Sequence, residues 1–402
     1  MNSGKSNPQS AGFKVLEHTI DWGRHKAGLA RLFSVITAGF CASLVMTSPA
    51  IAQSLPSAPM QVCIEETGGC TAFRPGSGQS AKKWNPGHYI KTQGNHADSD
   101  KRDYLDSVLR QLSKTRDSSK IRGAQIHYAW GMIEPRLGEY DWAPIYEHLN
   151  YLAGHGRKMI LVLDTKCFQS DCGSLAPREL QSDVYNNARE TDTHIVETWE
   201  RSVMNHYIAL WQALAAEFDG HPALEMVLAS ESAPSLNGGS PANFSRSAYA
   251  TQLRRMYIAQ GAAFRETNVV ANLNFLANEL SDLMEQAYQS GAGRGFPDVF
   301  DSSASLIFRG ECVDQECGVR DYRGKVPHLG IVSAPTLSGK HSSQIESPSE
   351  IIAYGLENKI THFSWVTTAS GSDSWSNIIQ TIESTSPNGH VACPQIYEGR
   401  CQ

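Results

Sequence analysis

The chain has 402 residues, of which 41% are hydrophobic, 19% charged and 9% aromatic. At ~100–200 residues per domain this suffices for two or three small domains or one large one, and the apolar content excludes a disordered chain. Lys and Arg number 35 against 41 Asp and Glu, a net charge of −6; without residues 1–52 it is −9, which argues against a nucleic-acid partner because nothing neutralises the phosphates.

Residues 32–46 (LFSVITAGFCASLVM) form an apolar run of fifteen, preceded by Arg24, Lys26 and Arg31. A membrane span needs ~20 such residues. Ala50 and Ala52 supply the small residues of a cleavage site ahead of Gln53. Residues 1–52 therefore read as a secretory signal peptide, with an uncleaved anchor as the alternative. The expected location is periplasmic or secreted, with no stable membrane insertion after cleavage.

Eight cysteines follow the signal in four close pairs: Cys63/Cys70, Cys167/Cys172, Cys312/Cys317 and Cys393/Cys401. Each cysteine has a near neighbour, and an exported chain meets an oxidising compartment, so local disulfides are expected. Zinc is the alternative, but the spacings exceed those of zinc knuckles and no histidine pattern accompanies them. No metal or cofactor is implied.

Residues 53–84, rich in Ser, Gly and Pro, read as a linker with a small stapled loop. From residue 85 to about 390, strand-like runs alternate with amphipathic helices. Strands are expected at 88–91, 121–128, 158–164, 224–231, 268–274, 298–306, 328–333 and 360–366. Helices are expected at 101–114, 143–155, 192–218, 245–265, 277–290, 348–358 and 373–384. Lys158–Asp164 (KMILVLD) is the strongest strand, because a continuous apolar run of this length suits a strand buried on both faces. The helix ending at 218 carries Ile195, Trp199, Val203, Tyr207, Trp211 and Ala215 on one stripe. Eight strand–helix units predict an α/β (β/α)8 (TIM) barrel with loop disulfides. A doubly wound sheet is the alternative, but its Gly-rich phosphate loop is missing. Residues 391–402 read as a disulfide-closed tail.

In a (β/α)8 barrel the chemistry sits at the C-terminal strand ends. There the sequence places His127 and Trp130, Asp164, Glu231, Asn274, Asp298 and Trp365. Aromatic, amide and carboxylate side chains on one rim suit a neutral sugar, and paired carboxylates suit acid/base cleavage of a glycosidic bond.

Residues 130–142 (WGMIEPRLGEYDW) resemble the W-x-x-x-E-P-x-x-G-x-Y-D-[FW] segment that follows the second strand in a large clan of (β/α)8 glycoside hydrolases, the clan of cellulases, mannanases and β-galactosidases. Glu231 and Trp365 match that clan's acid/base glutamate and sugar-stacking tryptophan in position. The resemblance implies an exported glycoside hydrolase acting on a polysaccharide or oligosaccharide. It departs at strand seven, where the clan's nucleophilic glutamate is replaced by Ser333-Ala334-Pro335. An inverting reaction is therefore expected, with Glu231 as general acid and Asp164 or Asp298 activating water. His127, Trp130, Asn274 and Trp365 are the expected substrate contacts, and Glu134 is expected to order the loop after strand two. A non-catalytic glycan-binding or exopolysaccharide-assembly protein on the same scaffold is the rival. A polysaccharide lyase is third, disfavoured because no Arg/Lys cluster marks the strand ends.

Overall fold

A computed structural model of the chain describes residues 60–64 and 69–73 by their backbone, and 80–91, 120–167, 174–187, 193–234, 236, 239–274, 279–296, 299, 322–333, 347–366, 375–385 and 389–402. The chain divides into a unit of residues 1–55 and a unit of residues 56–402. All the elements below belong to the second. The expected signal peptide, the helix at 101–114, Asp298, and the pair Cys312/Cys317 lie outside the described residues.

Two short strands come first. β1 (Met60–Ile64) and β2 (Gly69–Phe73) pair antiparallel, with Cys63 and Cys70 as register partners. Eight parallel strands then follow in chain order: β3 (Gly87–Lys91), β4 (Ile121–Ala129), β5 (Lys158–Asp164), β9 (Leu224–Ala229), β10 (Asn268–Asn272), β11 (Gly293–Phe296), β12 (His328–Val332) and β13 (His362–Val366). Each pairs with the next, and β13 pairs back onto β3, closing a barrel. Sequence order is thus spatial order, as right-handed crossovers between parallel neighbours require. The expected (β/α)8 fold is the one observed.

Two faces of each strand are buried, and they meet different things. Tyr89, Ile160, Val162, Met226, Leu228, Val270, Leu329 and Ile331 pack together as one apolar cluster. This is the layered interior filling of a closed barrel. The alternate residues, such as Ile126, Leu161, Leu163, Val227 and Val269, join the larger core with the helices.

Among the described residues the α-helices are α1 (Trp130–Ile133), α2 (Ala143–Gly154), α3 (Arg201–Phe218), α4 (Arg246–Ala263), α5 (Leu280–Gln289), α6 (Pro348–Glu357) and α7 (Trp375–Ser384). On α3 the predicted stripe is the buried face: Val203, Tyr207, Trp211, Leu214 and Phe218 are all within it. Trp211 is fully buried between Tyr207 and Phe264, so its truncation to Ala would cost about 3–5 kcal/mol. Ser245 caps α4 by accepting from the Ala248 N–H. Ser347 and Glu350 form a reciprocal capping box on α6, with Pro348 in its first turn.

Two expectations need correction. Helix α3 starts at Arg201, because Thr193–Val196 form strand β8. This strand joins β6 (Lys166–Cys167) and β7 (Val184–Asn187) in a three-stranded antiparallel sheet. Ile195 therefore belongs to that sheet, and its helical spacing to Trp199 is coincidental. The sixth barrel strand is Gly293–Phe296, ahead of the expected 298–306. Its glycines are there for close approach: a Cβ on Gly295 would lie 2.8 Å from Val270 Cγ1, and one on Gly293 would meet the Pro327 carbonyl. Between them Arg294 is buried with its guanidinium over the Tyr322 ring at 4.3 Å. Such a strand carries no apolar alternation to recognise.

The tail closes against the segment that leads into β3. Cys393 and Cys401 are disulfide-bonded, as expected. Lys82 N–H donates to Arg400 O, Gln402 N–H to Lys82 O and Trp84 N–H to Gln402 O. Nearby, Glu225 Oε1 at the start of β9 accepts from Asn85 N–H at 2.8 Å and Asn268 Nδ2 at 3.1 Å, with His362 Nε2 at 3.2 Å.

Candidate active site

The register between the third and fourth barrel strands builds the site. Leu163 is the partner of Ala229, so the residues just beyond both strands lie side by side. Ser230 N–H donates to Leu163 O at 3.1 Å. Its hydroxyl donates to Asp164 Oδ1 at 3.0 Å and accepts from Thr165 N–H at 3.0 Å. Ser230 thus ties the end of β5 to the segment that carries Glu231.

Asp164 has both oxygens engaged. Oδ1 receives Ser230, and Oδ2 lies 2.8 Å from His127 Nδ1 at the end of β4. The carboxylate accepts, so Nδ1 carries the proton and Nε2 is left to accept from Gln125 Nε2, 2.8 Å away. The histidine side chain is 15% exposed and the aspartate 7%. Asp164 therefore stands behind His127, where it orients the ring.

Lys166 meets Glu231. Its ammonium lies 2.6 Å from Glu231 Oε1 and also donates to Ala233 O at 2.7 Å. Glu231 Oε2 accepts from Asn274 Nδ2 at 2.6 Å. The Asn274 amide can point only one way, because its Oδ1 accepts from Ala233 N–H at 2.7 Å. Ser232 Oγ secures the same residue, donating to Asn274 O and accepting from Asn274 N–H. Both oxygens of Glu231 thus face donors, and neither donor has a lone pair to receive a proton from it.

The arrangement repeats a simple design on two adjacent strand ends. His127 and Glu231 reach partly into solvent, and each is held from behind by a buried side chain, Asp164 and Lys166 respectively. Around them, Tyr207 donates its hydroxyl to Leu163 O at 2.9 Å. Burial pushes the Tyr207 phenol well up, and the Asp164 charge adds to the effect. Burial also raises the Tyr249 phenol, with a further contribution from Glu231.

Of the seven residues expected at the site, four come together: His127, Asp164, Glu231 and Asn274. Asp298 is outside the described residues. The two tryptophans are corrections in position. Trp130 is fully buried, 4.9 Å from the Tyr207 ring, with Nε1 donating to Glu134 Oε2 at 2.6 Å. Glu134 Oε1 accepts from Gly138 N–H at 2.7 Å, so this glutamate does order the loop after strand two. Its carboxyl is pushed up by burial, against the pull of those two donors. Trp365 is also fully buried. Its Nε1 donates to His88 Nδ1 at 3.0 Å, and its ring stacks on Phe363. Trp365 lies in β13 and Trp130 opens α1, and each indole N–H finds a buried acceptor.

Lys166 is the site residue that the sequence reading missed as a partner of Glu231. Its one sequence signal was position, two residues past the end of an apolar strand. Cys167, next in the chain, is disulfide-bonded; its expected partner Cys172 is outside the described residues. The described residues contain no group of three His, Cys, Asp or Glu side chains able to hold a metal ion. Among the described residues, no helix is long and apolar enough to cross a membrane.

No protein-family model and no curated protein matches the sequence. Solved structures do match in fold. Endoglycoceramidase II from Rhodococcus sp., in complex with ganglioside GM3, superposes with a TM-score of 0.51 at 13% identity, over 79% of this chain and 84% of that one. The β-1,4-D-mannanase of Cryptopygus antarcticus gives 0.48 at 12%, over 80% and 98%. The β-mannanase of the blue mussel Mytilus edulis gives 0.48 at 12%, over 78% and 94%. The likeness to the first establishes a shared fold.

Proposed function

We propose that the protein is an exported glycoside hydrolase that cleaves glycosidic bonds in a polysaccharide or oligosaccharide, with Glu231 as a catalytic carboxylate. One observation carries this reading: a partly exposed glutamate stands just past the fourth barrel strand, fixed through both oxygens by Lys166 and Asn274. This is the barrel end where such chemistry is placed. The segment 130–142 and the shared fold support it. His127 and Asn274 are the side chains to test as sugar contacts. Asp164 and Asp298 are the carboxylates to test as the second member of the pair, and the missing carboxylate at Ser333 favours inversion over retention. The signal-like residues 1–52 and the paired cysteines support export.

Purified protein beginning at Gln53, incubated with a panel of polysaccharides and oligosaccharides, should release reducing ends from at least one. Glu231→Gln should lower that turnover ~10²–10⁴-fold, the usual worth of a positioned proton-transfer group. Binding of glycans without any release of reducing ends would favour the non-catalytic reading, which the absence of a carboxylate at Ser333 keeps open. N-terminal sequencing of periplasmic or secreted material should start at Gln53; a start at Met1 would overturn export by cleavage.

A further inference from the structure

The inner wall of the upper barrel departs from the usual filling. Branched apolar side chains ordinarily close a (β/α)8 barrel in layers, and Val270, Leu329 and Ile331 do so here. Two residues past Val270 on β10, and on the same face, stands Asn272, 6% exposed. Among the described residues its buried Oδ1 meets no hydrogen-bond donor. Its register partner on β11 is Gly295, which has no side chain to cover it; a Cβ there would lie 3.6 Å from Asn272 Cβ. On β13, Ser364 is in register with Ile331 and shares its inner face, and its buried hydroxyl likewise meets no partner among the described residues. We infer that Asn272 is a specificity-determining contact, whose amide takes a hydroxyl of the neutral sugar unit brought against Glu231. This rests on the glycosidase reading and adds to it a residue and a substrate class.

Along β10 the inner positions form a series. Val270 belongs to the apolar floor, Asn274 holds Glu231 Oε2, and Asn272 lies between them on the same face. The ladder runs on past the strand end, since Leu273 N–H donates to Gly295 O at 3.3 Å. The Asn272 carbonyl accepts at 2.9 Å from the N–H of Ser232, the residue after Glu231. Asn272 thus stands roughly 7 Å of strand below Asn274, at the floor of the mouth that Glu231 borders. A buried amide left unpaired costs the fold stability, and a bound group that pairs with it removes that penalty. A hydroxyl suits it whichever way the amide is turned, because a hydroxyl both donates and accepts. An ionised carboxylate or sulfate only accepts and would leave Oδ1 unpaired, so the sugar at this position is uncharged.

The experiment compares wild type, Asn272→Ala and Asn272→Leu. Calorimetry measures binding of neutral cello-, manno-, xylo- and galacto-oligosaccharides, release of reducing ends measures their cleavage, and urea unfolding follows each protein. On the oligosaccharide that wild type accepts, both variants should lose ~10-fold or more in affinity and in kcat/KM. The urea midpoint of Asn272→Leu, close in shape and without the unpaired amide, should stay at or above that of wild type. In a monodeoxy series of the same oligosaccharide, removal of one hydroxyl should cost wild type a similar factor and cost Asn272→Ala nothing. Unchanged affinity in the folded variants would overturn this inference alone. So would equal sensitivity of wild type and Asn272→Ala to every deoxy sugar, or a urea midpoint lowered in both variants, which would mark a structural amide. Cleavage of uronate-bearing polysaccharides but of no neutral glycan would also overturn it and leave the glycosidase reading standing. Binding without release of reducing ends would overturn the glycosidase reading, while the affinities still decide the contact. Absence of binding and cleavage on every glycan would overturn both.

Discussion

Lys166 and Glu231 are 2.6 Å apart, and the lysine is the deeper of the two, with 3% of its side chain exposed against 21% for the glutamate. The pair joins residues that are 65 positions apart in the chain. It ties the small sheet of β6, β7 and β8 to the loop beyond β9. Because one partner is buried and the other is open to solvent, the pair should be worth more than a surface ion pair and less than a fully enclosed one. A double-mutant cycle with Lys166→Met and Glu231→Gln should give a coupling energy of about 1–3 kcal/mol in urea unfolding. A coupling indistinguishable from zero would mean that the contact does not persist in solution.

Asp164 should matter through His127. Asp164→Ala removes the acceptor for two donors, His127 Nδ1–H and Ser230 Oγ–H, at a position 5% exposed. Each buried donor left unmade costs about 1–3 kcal/mol. Asp164→Asn keeps the shape and one acceptor, so it should lose less. Chemical denaturation of the three proteins should rank wild type above Asp164→Asn above Asp164→Ala. The opposite order for the two variants would contradict this account of the dyad.

Acid should weaken the fold through two buried histidines. Burial lowers the His88 imidazole from 6.5 to about 3, and burial also lowers His328 to about 3, with Arg294 contributing to the second. In the unfolded chain both bind a proton near 6.5, so between about 6.5 and 3 the unfolded state holds more protons than the native one. Stability therefore rises with pH across that window and is lost as pH falls through it. For His88 there is a local consequence, since its Nδ1 accepts the Trp365 Nε1–H and cannot do so once protonated. The urea midpoint should fall between pH 7 and pH 4 in wild type. It should fall less in His328→Gln, and an identical fall in both would remove His328 from the explanation.

The lysines beside the tail work in the alkaline range. Burial lowers both Lys82 and Lys83 from 10.5 to about 8. Between about 8 and 10.5 the unfolded chain holds these protons while the native state has released them, so this contribution to stability rises with pH over that window. Lys82→Met should abolish its share of the rise, measurable as a smaller gain in urea midpoint from pH 8 to pH 10 than wild type shows.

The disulfide of the tail should stabilise without touching the chemistry. Cys393 and Cys401 close a loop of separation 8, for which the chain-entropy model gives roughly 2–3 kcal/mol. Cys401→Ser should lower the unfolding free energy by that order, with turnover of the folded protein unchanged. Mass mapping of non-reduced peptides should likewise pair Cys167 with Cys172 and Cys312 with Cys317. Bridges between distant clusters, or bound zinc, would overturn the view of the cysteines as local staples.

The barrel was legible in the sequence wherever apolar runs were long enough to be buried on both faces. Runs such as Lys158–Asp164 and Leu224–Ala229 have no other stable destination than the interior of a parallel sheet, and their alternation with amphipathic stretches fixes the order of the strands. Helix α3 declared its face through a four-residue repeat, and Glu134 declared its structural role through the Glu-Pro loop that it orders. These features depend on neighbours in the chain, which a sequence displays. What only the tertiary structure decided depends on pairing across the barrel. The sixth strand, Gly293–Phe296, is built from glycines whose purpose is the close approach of Val270 and Pro327. Trp130 and Trp365 were drawn inward because Glu134 and His88 offered their indoles buried acceptors. Glu231 met Lys166 rather than a second carboxylate because the register of Leu163 with Ala229 sets two strand ends side by side. Residue type could name the groups at the rim, but which charge stands against which is set by strand register, and a one-residue slip in that register would repartner them all.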